Sequence, residues 1–134
     1  MFEKTIKFPN PYVKDPNTKL PVMEEEVFYF NFTMADVAEL QTRFPGGMSG
    51  MLAQVFDTKD ERGAYKTFEM LLLDGIGERD GVLHVKNDAV KARFRAHPAF
   101  NIMFEELLSD EGMGIIDYLK AAMPAEFAKL VATE

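Results

Sequence analysis

The most informative segment of the chain runs from Asp74 to Leu108, DGIGERDGVLHVKNDAVKARFRAHPAFNIMFEELL. A glycine-rich turn, a short apolar run, a helix start and a strongly amphipathic helix follow one another in it. His97-Pro98 ends the preceding helix, because proline disfavours helical geometry in the residue before it. The amphipathic helix then begins with Pro98 in its first turn, a position that suits proline. Its apolar side chains recur at helical spacing, a pattern more typical of a core face than of a binding groove: Phe100, Met103, Phe104, Leu107 and Leu108.

The helix that leads into this stretch is predicted to begin at Thr58 and to run to about Leu73. Thr58 and Glu61, three residues apart, form a capping-box pattern. The side chains that follow are apolar almost all round the helix, which is typical of a helix in the middle of a core. We therefore expect this helix to be central.

Between the two helices the chain is predicted to turn twice. Gly75 has the position of a left-handed glycine that ends a helix. Residues 77–81, GERDG, predict a polar turn, and residues 82–85 a short extended run. Asn87 or Asp88 can then cap the next helix.

The N-terminal part of the chain predicts an antiparallel β-hairpin. Side chains alternate between apolar and polar over residues 2–8, and residues 25–32 are dense in aromatic and β-branched side chains. Residues 9–21 contain four prolines and predict a long, turn-rich connection between the two strands.

Short helices are predicted on either side of the central segment. Thr33 and Asp36 form a capping-box pattern, and Pro45-Gly46-Gly47 ends the helix that they open. Residues 48–56 show helical periodicity, as do residues 115–123, and Pro124 begins a short last helix.

These elements predict a mainly α (α+β) fold. An N-terminal antiparallel β-hairpin is followed by about six short to medium helices packed around one core. We expect one domain over residues 1–134, with the hairpin and its long proline-rich loop in residues 1–32 and a helical body in residues 33–134.

The composition excludes several classes of protein. The chain has 134 residues, a net charge of −7 and no cysteine. Disulfides and thiolate metal sites are therefore excluded, and the acidic balance argues against nucleic-acid binding. No apolar run approaches the ~18 residues that a membrane span needs, so we expect a cytoplasmic protein without membrane contact.

No motif in the sequence indicates catalysis or metal binding. Asp74 and Asp80 suggest a calcium loop, but Ile76 occupies the third ligand position, so that hypothesis is discarded. His84 and His97 are the only histidines and have no acidic residue at a catalytic or metal-ligand spacing. The sequence therefore predicts no enzyme, no metal and no cofactor.

Methionine is unusually frequent, with nine residues. Methionine fills irregular gaps in cores and also serves surfaces that adapt to varied partners. If one of these residues meets a partner, the short helix around Met48 is the first candidate. The predicted partner-binding residues are Met48, Met51, Leu52 and Phe56.

The chain resembles the tail assembly chaperones of long-tailed bacteriophages over nearly its whole length. The resemblance lies in the order and spacing of short motifs around the central segment. They are Tyr29-Phe30-Asn31-Phe32-Thr33, Leu72-Leu73-Asp74-Gly75, Gly77-Glu78-Arg79, Asp80-Gly81, Lys86-Asn87-Asp88, Phe94, Pro98-Ala99-Phe100, Met103-Phe104-Glu105-Glu106-Leu107, Asp110 and Met123-Pro124. The sequence departs from the pattern at Ile76, at Val82-Leu83-His84 and in the long proline-rich loop.

The resemblance implies a non-catalytic protein that is made during tail morphogenesis. Such a protein would bind the tape measure protein, keep its apolar helices in solution and help to recruit the tail tube protein. It would act in the cytoplasm of an infected or lysogenic bacterial cell, as a homo-oligomer, and be absent from the mature virion. Two alternatives remain open: a structural virion protein such as a tail-completion or connector component, and an enzyme or regulator outside phage biology.

Overall fold

The computed structural model describes residues 2–56, 59–109 and 113–123. The elements follow in the order β1 (Phe2–Lys14), β2 (Pro21–Phe30), α1 (Met34–Arg43), α2 (Gly47–Val55), α3 (Glu61–Gly75), β3 (Ile76–Asp80), β4 (Leu83–Val85), α4 (Asp88–Ala96), α5 (Pro98–Leu108) and α6 (Met113–Ala122).

The four strands form one antiparallel sheet in the order β1-β2-β3-β4. The N-terminal hairpin is confirmed, but the mainly α assignment is wrong, because the sheet has four strands and not two. The predicted polar turn over residues 77–81 belongs mostly to β3, and only Gly81 and Val82 turn the chain. Sequence periodicity missed β3 because only its first two residues, Ile76 and Gly77, are buried.

The predicted loop over residues 9–21 is also wrong, since β1 and β2 extend through most of it. Pro9 is paired with Met23 in the hairpin. The nitrogen of Pro9 faces away from β2, because the odd-numbered residues of β1 form the non-hydrogen-bonded pairs of this ladder. A proline at the outer edge of a sheet removes no hydrogen bond, so strand β1 tolerates it.

Most helix boundaries follow the local signals in the sequence. Thr33 and Asp36 form the predicted capping box at the start of α1. Asn87 caps α4, and Pro98 lies in the first turn of α5, as expected. The side chain of Asp60 caps α3, while the predicted cap Thr58 and the predicted helix after Pro124 lie outside the described residues.

One face of the hairpin packs against the helices through aromatic rings. Phe28 and Phe30 both contact Phe94 of α4, with ring centroids 5.4 and 5.7 Å apart. Phe30 also contacts Tyr118 of α6 at 5.5 Å. The opposite face of β1 is exposed, so the described helices cover the hairpin from one side.

The chain passes from α3 into β3 at Gly75 without a loop. Gly75 is the last residue of the helix and does not have a positive φ, so the predicted left-handed helix end is wrong. Its carbonyl oxygen accepts a hydrogen bond from the backbone N–H of Asn31 (2.9 Å) and lies 3.0 Å from Nε2 of His84. A Cβ at this position would overlap the Tyr118 hydroxyl and contact the Phe32 ring.

The Tyr118 hydroxyl, which occupies the space that a side chain at Gly75 would need, is held in place by a hydrogen bond. Tyr118 is 3% exposed, and its Oη donates a hydrogen bond to the carbonyl oxygen of Leu71 in α3 (2.8 Å). Burial raises the pKa of Tyr118 well above 10, so the hydroxyl remains protonated and remains a donor. Glycine is therefore required at position 75 by close packing.

Replacing Gly75 with alanine tests this packing. In an ordinary helix interior Gly→Ala stabilises by roughly 0.5–1 kcal/mol, whereas here we expect a loss of about 1–3 kcal/mol from overpacking. Urea unfolding of G75A, Y118F and the double variant measures the coupling. Since Y118F removes the overlapping oxygen, the loss from G75A should be smaller in that background, and equal losses would contradict the account.

Candidate functional site

The predicted partner-binding residues do not form an exposed surface of their own. Met48 and Met51 are 5% and 0% exposed and belong to the core. Leu52 is half-buried against that core, and Phe56, at the end of α2, is 44% exposed. A partner-binding role for the four residues remains a prediction, and Phe56 is the side chain of the set that solvent reaches most.

A shallow groove between α3 and α5 exposes aromatic rings, and we call it the aromatic groove. Tyr65 of α3 is 45% exposed and lies 5.9 Å from the ring of Phe104 of α5, measured between centroids. Phe104 in turn contacts Phe100 at 6.0 Å and Phe68 at 5.9 Å. The groove has a volume of about 470 Å³. Its lining residues are Glu61, Arg62, Tyr65, Lys66, Glu69, Arg95, Phe100, Asn101 and Phe104.

The rim of the aromatic groove is charged and partly fixed by an ion pair. Nε of Arg95 in α4 donates to Oε1 of Glu69 in α3 at 2.8 Å. The guanidinium carbon of Arg95 also lies 4.7 Å from the centroid of the Phe100 ring, within the range of a cation–π contact. An apolar floor with a charged rim is the arrangement that binds amphipathic helices in many complexes.

Only a weak signal for this groove is present in the sequence. Helical spacing assigns Tyr65 to the same face of α3 as Phe68, and Phe104 to the same stripe of α5 as Phe100. The structure buries Phe68 and Phe100 but leaves Tyr65 and part of Phe104 accessible at the groove between α3 and α5. Helical periodicity identifies the apolar face of a helix but does not show which residues of that face are buried.

A second opening lies between β2 and β3, above α4, and we call it the edge cleft. Its volume is about 400 Å³, within the range of roughly 300–1,000 Å³ that is common for binding pockets. Its lining residues are Glu26, Val27, Phe28, Tyr29, Ile76, Gly77, Glu78, Arg79, Val90, Arg93, Phe94 and His97. Sequence reasoning missed it because it depends on where two strands separate.

The two histidines have structural contacts. Nδ1 of His97 accepts a hydrogen bond from the backbone N–H of Ala99 and caps α5, and its Nε2 lies 2.9 Å from Oε2 of Glu26. His84 packs over Gly77, with Nε2 at the carbonyl oxygen of Gly75. Burial, together with the charge of Lys86, lowers the pKa of His84 although the bond to Gly75 opposes this. Neutral His84 therefore fits the junction between α3 and β3.

The described part of the chain contains neither a metal-binding cluster nor a membrane-spanning helix. Among residues 2–56, 59–109 and 113–123, no group of three or more His, Asp or Glu side chains is placed to hold a metal ion. Over the same residues no helix is both long and apolar enough to cross a membrane.

Comparison with known proteins gave a match at the level of a family. The model of a family described as "Phage tail assembly chaperone" matches residues 1–134. Comparisons with curated proteins and with solved structures gave no match.

Truncation of Tyr65 and of Phe68 should separate a groove residue from a core residue. Y65A should reduce the free energy of unfolding by about 1 kcal/mol or less, because nearly half of the side chain is already in water. F68A, at a position 3% exposed, should cost about 3–5 kcal/mol. Chemical denaturation compares the two variants, and equal losses would show that the groove is closed in solution.

His84 should make the stability of the protein depend on pH. Because its pKa is lower in the folded protein than the ordinary value of 6.5, its contribution is complete above pH 6.5. That contribution is lost as the pH falls through the lower, folded-state value. The H84Q variant retains a side-chain N–H that can donate to the Gly75 carbonyl oxygen, but this side chain does not titrate. The free energy of unfolding of H84Q should therefore fall less than that of the wild type between about pH 7.5 and 5.5. This pH range lies above the pKa values of most carboxylates.

H97Q is the matched control for this pH series. It removes the other histidine and leaves His84 in place, so it should retain the pH dependence of the wild type that arises from His84. An H84Q protein whose stability falls as steeply as that of the wild type would contradict the assignment.

Proposed function

The chain belongs to the phage tail assembly chaperone family, and from that premise we propose that it binds the tape measure protein of its phage and keeps it soluble until the tail tube forms. Membership of this family supports a chaperone role in tail assembly. The observation that carries the proposal is the match of the family model to residues 1–134. The tape measure protein as client and the tail tube protein as second partner are parts of the proposal.

The aromatic groove is the surface that suits such a client. Tape measure proteins are expected to be long and helical, and apolar helices without a partner aggregate in water. The floor of the groove, Tyr65 and Phe104 above Phe100, offers apolar area for one face of a helix. Its rim, with Arg95 and Glu69, can accept polar side chains beside that face.

Phe56 adds accessible apolar area at the end of α2. We retain it, with Leu52, Met48 and Met51, as the second part of the proposed client surface. In this proposal the two methionines act from the core by shaping the α2 surface, and Phe56 makes the direct contact.

Further parts of the proposal concern how and where the protein acts. A long client presents many similar helical segments, so several chaperone copies bound side by side gain avidity from individually weak contacts. We therefore propose that it works as a homo-oligomer on its client. It does so in the cytoplasm of the host cell, without catalysing a reaction, and leaves before the virion is complete.

Co-expression with the tape measure protein tests the proposal. The wild-type chain should co-purify with the client and keep it in the soluble fraction. Y65E places a charge in the floor of the aromatic groove and should reduce the captured client about tenfold or more, since a loss of 1.4 kcal/mol in binding is tenfold.

V82E is the matched control, because Val82 is 98% exposed and lies on the β3–β4 turn outside the lining of the groove. It should capture as much client as the wild type. A wild-type protein that remains unbound beside an insoluble tape measure protein would overturn the proposed client. Stoichiometric amounts of the chain in purified virions would favour a structural virion component instead.

A further inference from the structure

The ladder between β2 and β3 ends after two residue pairs. Tyr29 is opposite Gly77 and Phe30 is opposite Ile76, and the register goes no further. Beyond Gly77, β3 turns to pair with β4, starting at Glu78. The edge cleft opens at this point, between the departing β3 and the part of β2 that precedes Tyr29.

In the part of the chain that the structure describes, no strand pairs with the β2 edge at the edge cleft. The backbone N–H of Asn31 donates to the carbonyl oxygen of Gly75, so Tyr29 and Gly77 form the next hydrogen-bonded pair of this antiparallel ladder. Polar groups of a strand alternate between its two sides, so those of Val27 and Glu25 point the same way as those of Tyr29. Among the described residues no strand lies beside them, and Val27 is 39% exposed.

The outer edge of β1 is interrupted by a proline, whereas this edge of β2 is not. Along β1 the outward-facing nitrogens include that of Pro9, which has no hydrogen to donate. Between Val22 and Tyr29, strand β2 has no proline. An unpaired strand edge is a template for an added strand, and only an extended backbone offers donors and acceptors at the matching spacing.

The cleft floor is apolar where side chains of an added strand would point inward. Val90 and Phe94 of α4 lie below the opening, beside Phe28 of β2. On the opposite wall Arg93 pairs with Glu78, so those two charges compensate each other.

The β2 wall is acidic along its length. Glu24, Glu25 and Glu26 are consecutive, and the Glu25 and Glu26 side chains are 55% and 53% exposed. Glu24 contacts Asn10, Glu25 contacts Lys7 and Glu26 contacts His97. A carboxylate can accept several hydrogen bonds, so each of the three can also accept one from a partner. Pairing with the same edge of a second copy would bring these acids against their equivalents, which is unfavourable. A basic partner is favoured instead.

We propose that the free edge of β2, Met23–Val27, binds an extended segment of a partner protein as an added strand in the edge cleft. The segment alternates apolar side chains, which enter the cleft above Phe94, with Lys or Arg, which lie beside Glu25 on the opposite face of the sheet. This mode of binding is separate from helix capture in the aromatic groove and requires no tape measure protein for its test.

A synthetic, end-blocked peptide of alternating Val and Lys is the probe. It should bind the full-length chain in calorimetry and shift the amide NMR signals of Glu25 and Val27. A Val-Glu peptide of equal length should bind at least tenfold more weakly because of the acidic wall. A Val-Lys peptide that is N-methylated at every residue should also bind about tenfold more weakly, since each lost hydrogen bond weakens binding.

The variants V27P and T5P form a matched pair. Both residues belong to the same non-hydrogen-bonded pair, so either proline leaves the β1–β2 ladder intact and removes an N–H from one outer edge. V27P should reduce the affinity for the Val-Lys peptide about tenfold, and T5P should leave that affinity unchanged.

Three results would overturn the proposal. They are no binding of the Val-Lys peptide to the wild type, equal binding of the Val-Lys and Val-Glu peptides, and equal binding of the N-methylated and plain peptides. The peptide comparisons hold even where V27P fails to fold. Self-association of the wild-type chain that the Val-Lys peptide cannot displace would assign the edge to a second copy instead.

Discussion

The structure depends on the absence of a side chain at Gly75. At this residue the central helix α3 becomes strand β3 without a loop, and α6 closes over the junction through the Tyr118 hydroxyl. The Gly75 carbonyl oxygen accepts the bond from Asn31 that starts the β2–β3 ladder and also contacts His84 of β4. One backbone position therefore joins helix, sheet and the last described helix.

This junction also determines which surfaces remain open. Because β3 leaves α3 directly, it touches β2 over only two pairs before it turns to β4, and the edge cleft is the consequence. On the other side of α3, Phe68 and Leu72 are buried, whereas Tyr65 contacts Phe104 of α5 and remains 45% exposed. The aromatic groove and the edge cleft thus differ in shape, and we propose that the first binds a helix and the second an extended strand.

Local signals in the sequence predicted the parts of the fold that local interactions form. The capping box of Thr33 and Asp36, the Asn87 cap and the start of α5 at Pro98 each depend on neighbours in the chain, and each was predicted. Strand β3 and the proline-containing half of β1 depend on which edge of a strand faces a partner. That information is absent from periodicity.

The same limit applies to the candidate surfaces. The spacing of Met48 and Met51 predicts an apolar helix face, and that face is core. The spacing of Tyr65 also predicts a core face, and that side chain is nearly half exposed. Whether an apolar side chain is buried depends on how far its neighbouring helix extends, which only the tertiary structure shows. The resemblance to tail assembly chaperones, in contrast, was confirmed by the family match over residues 1–134.

Hydrogen–deuterium exchange of the chain, alone and in complex with its tape measure protein, is the sharpest test of client binding in the aromatic groove. Such binding should slow exchange in the complex for the first turns of α3 around Tyr65 and for α5 around Phe104. The amides around Met51, whose side chain is already buried, should be unchanged. A stable complex in which exchange around Tyr65 and Phe104 is the same as in the free chain would contradict client binding in this groove.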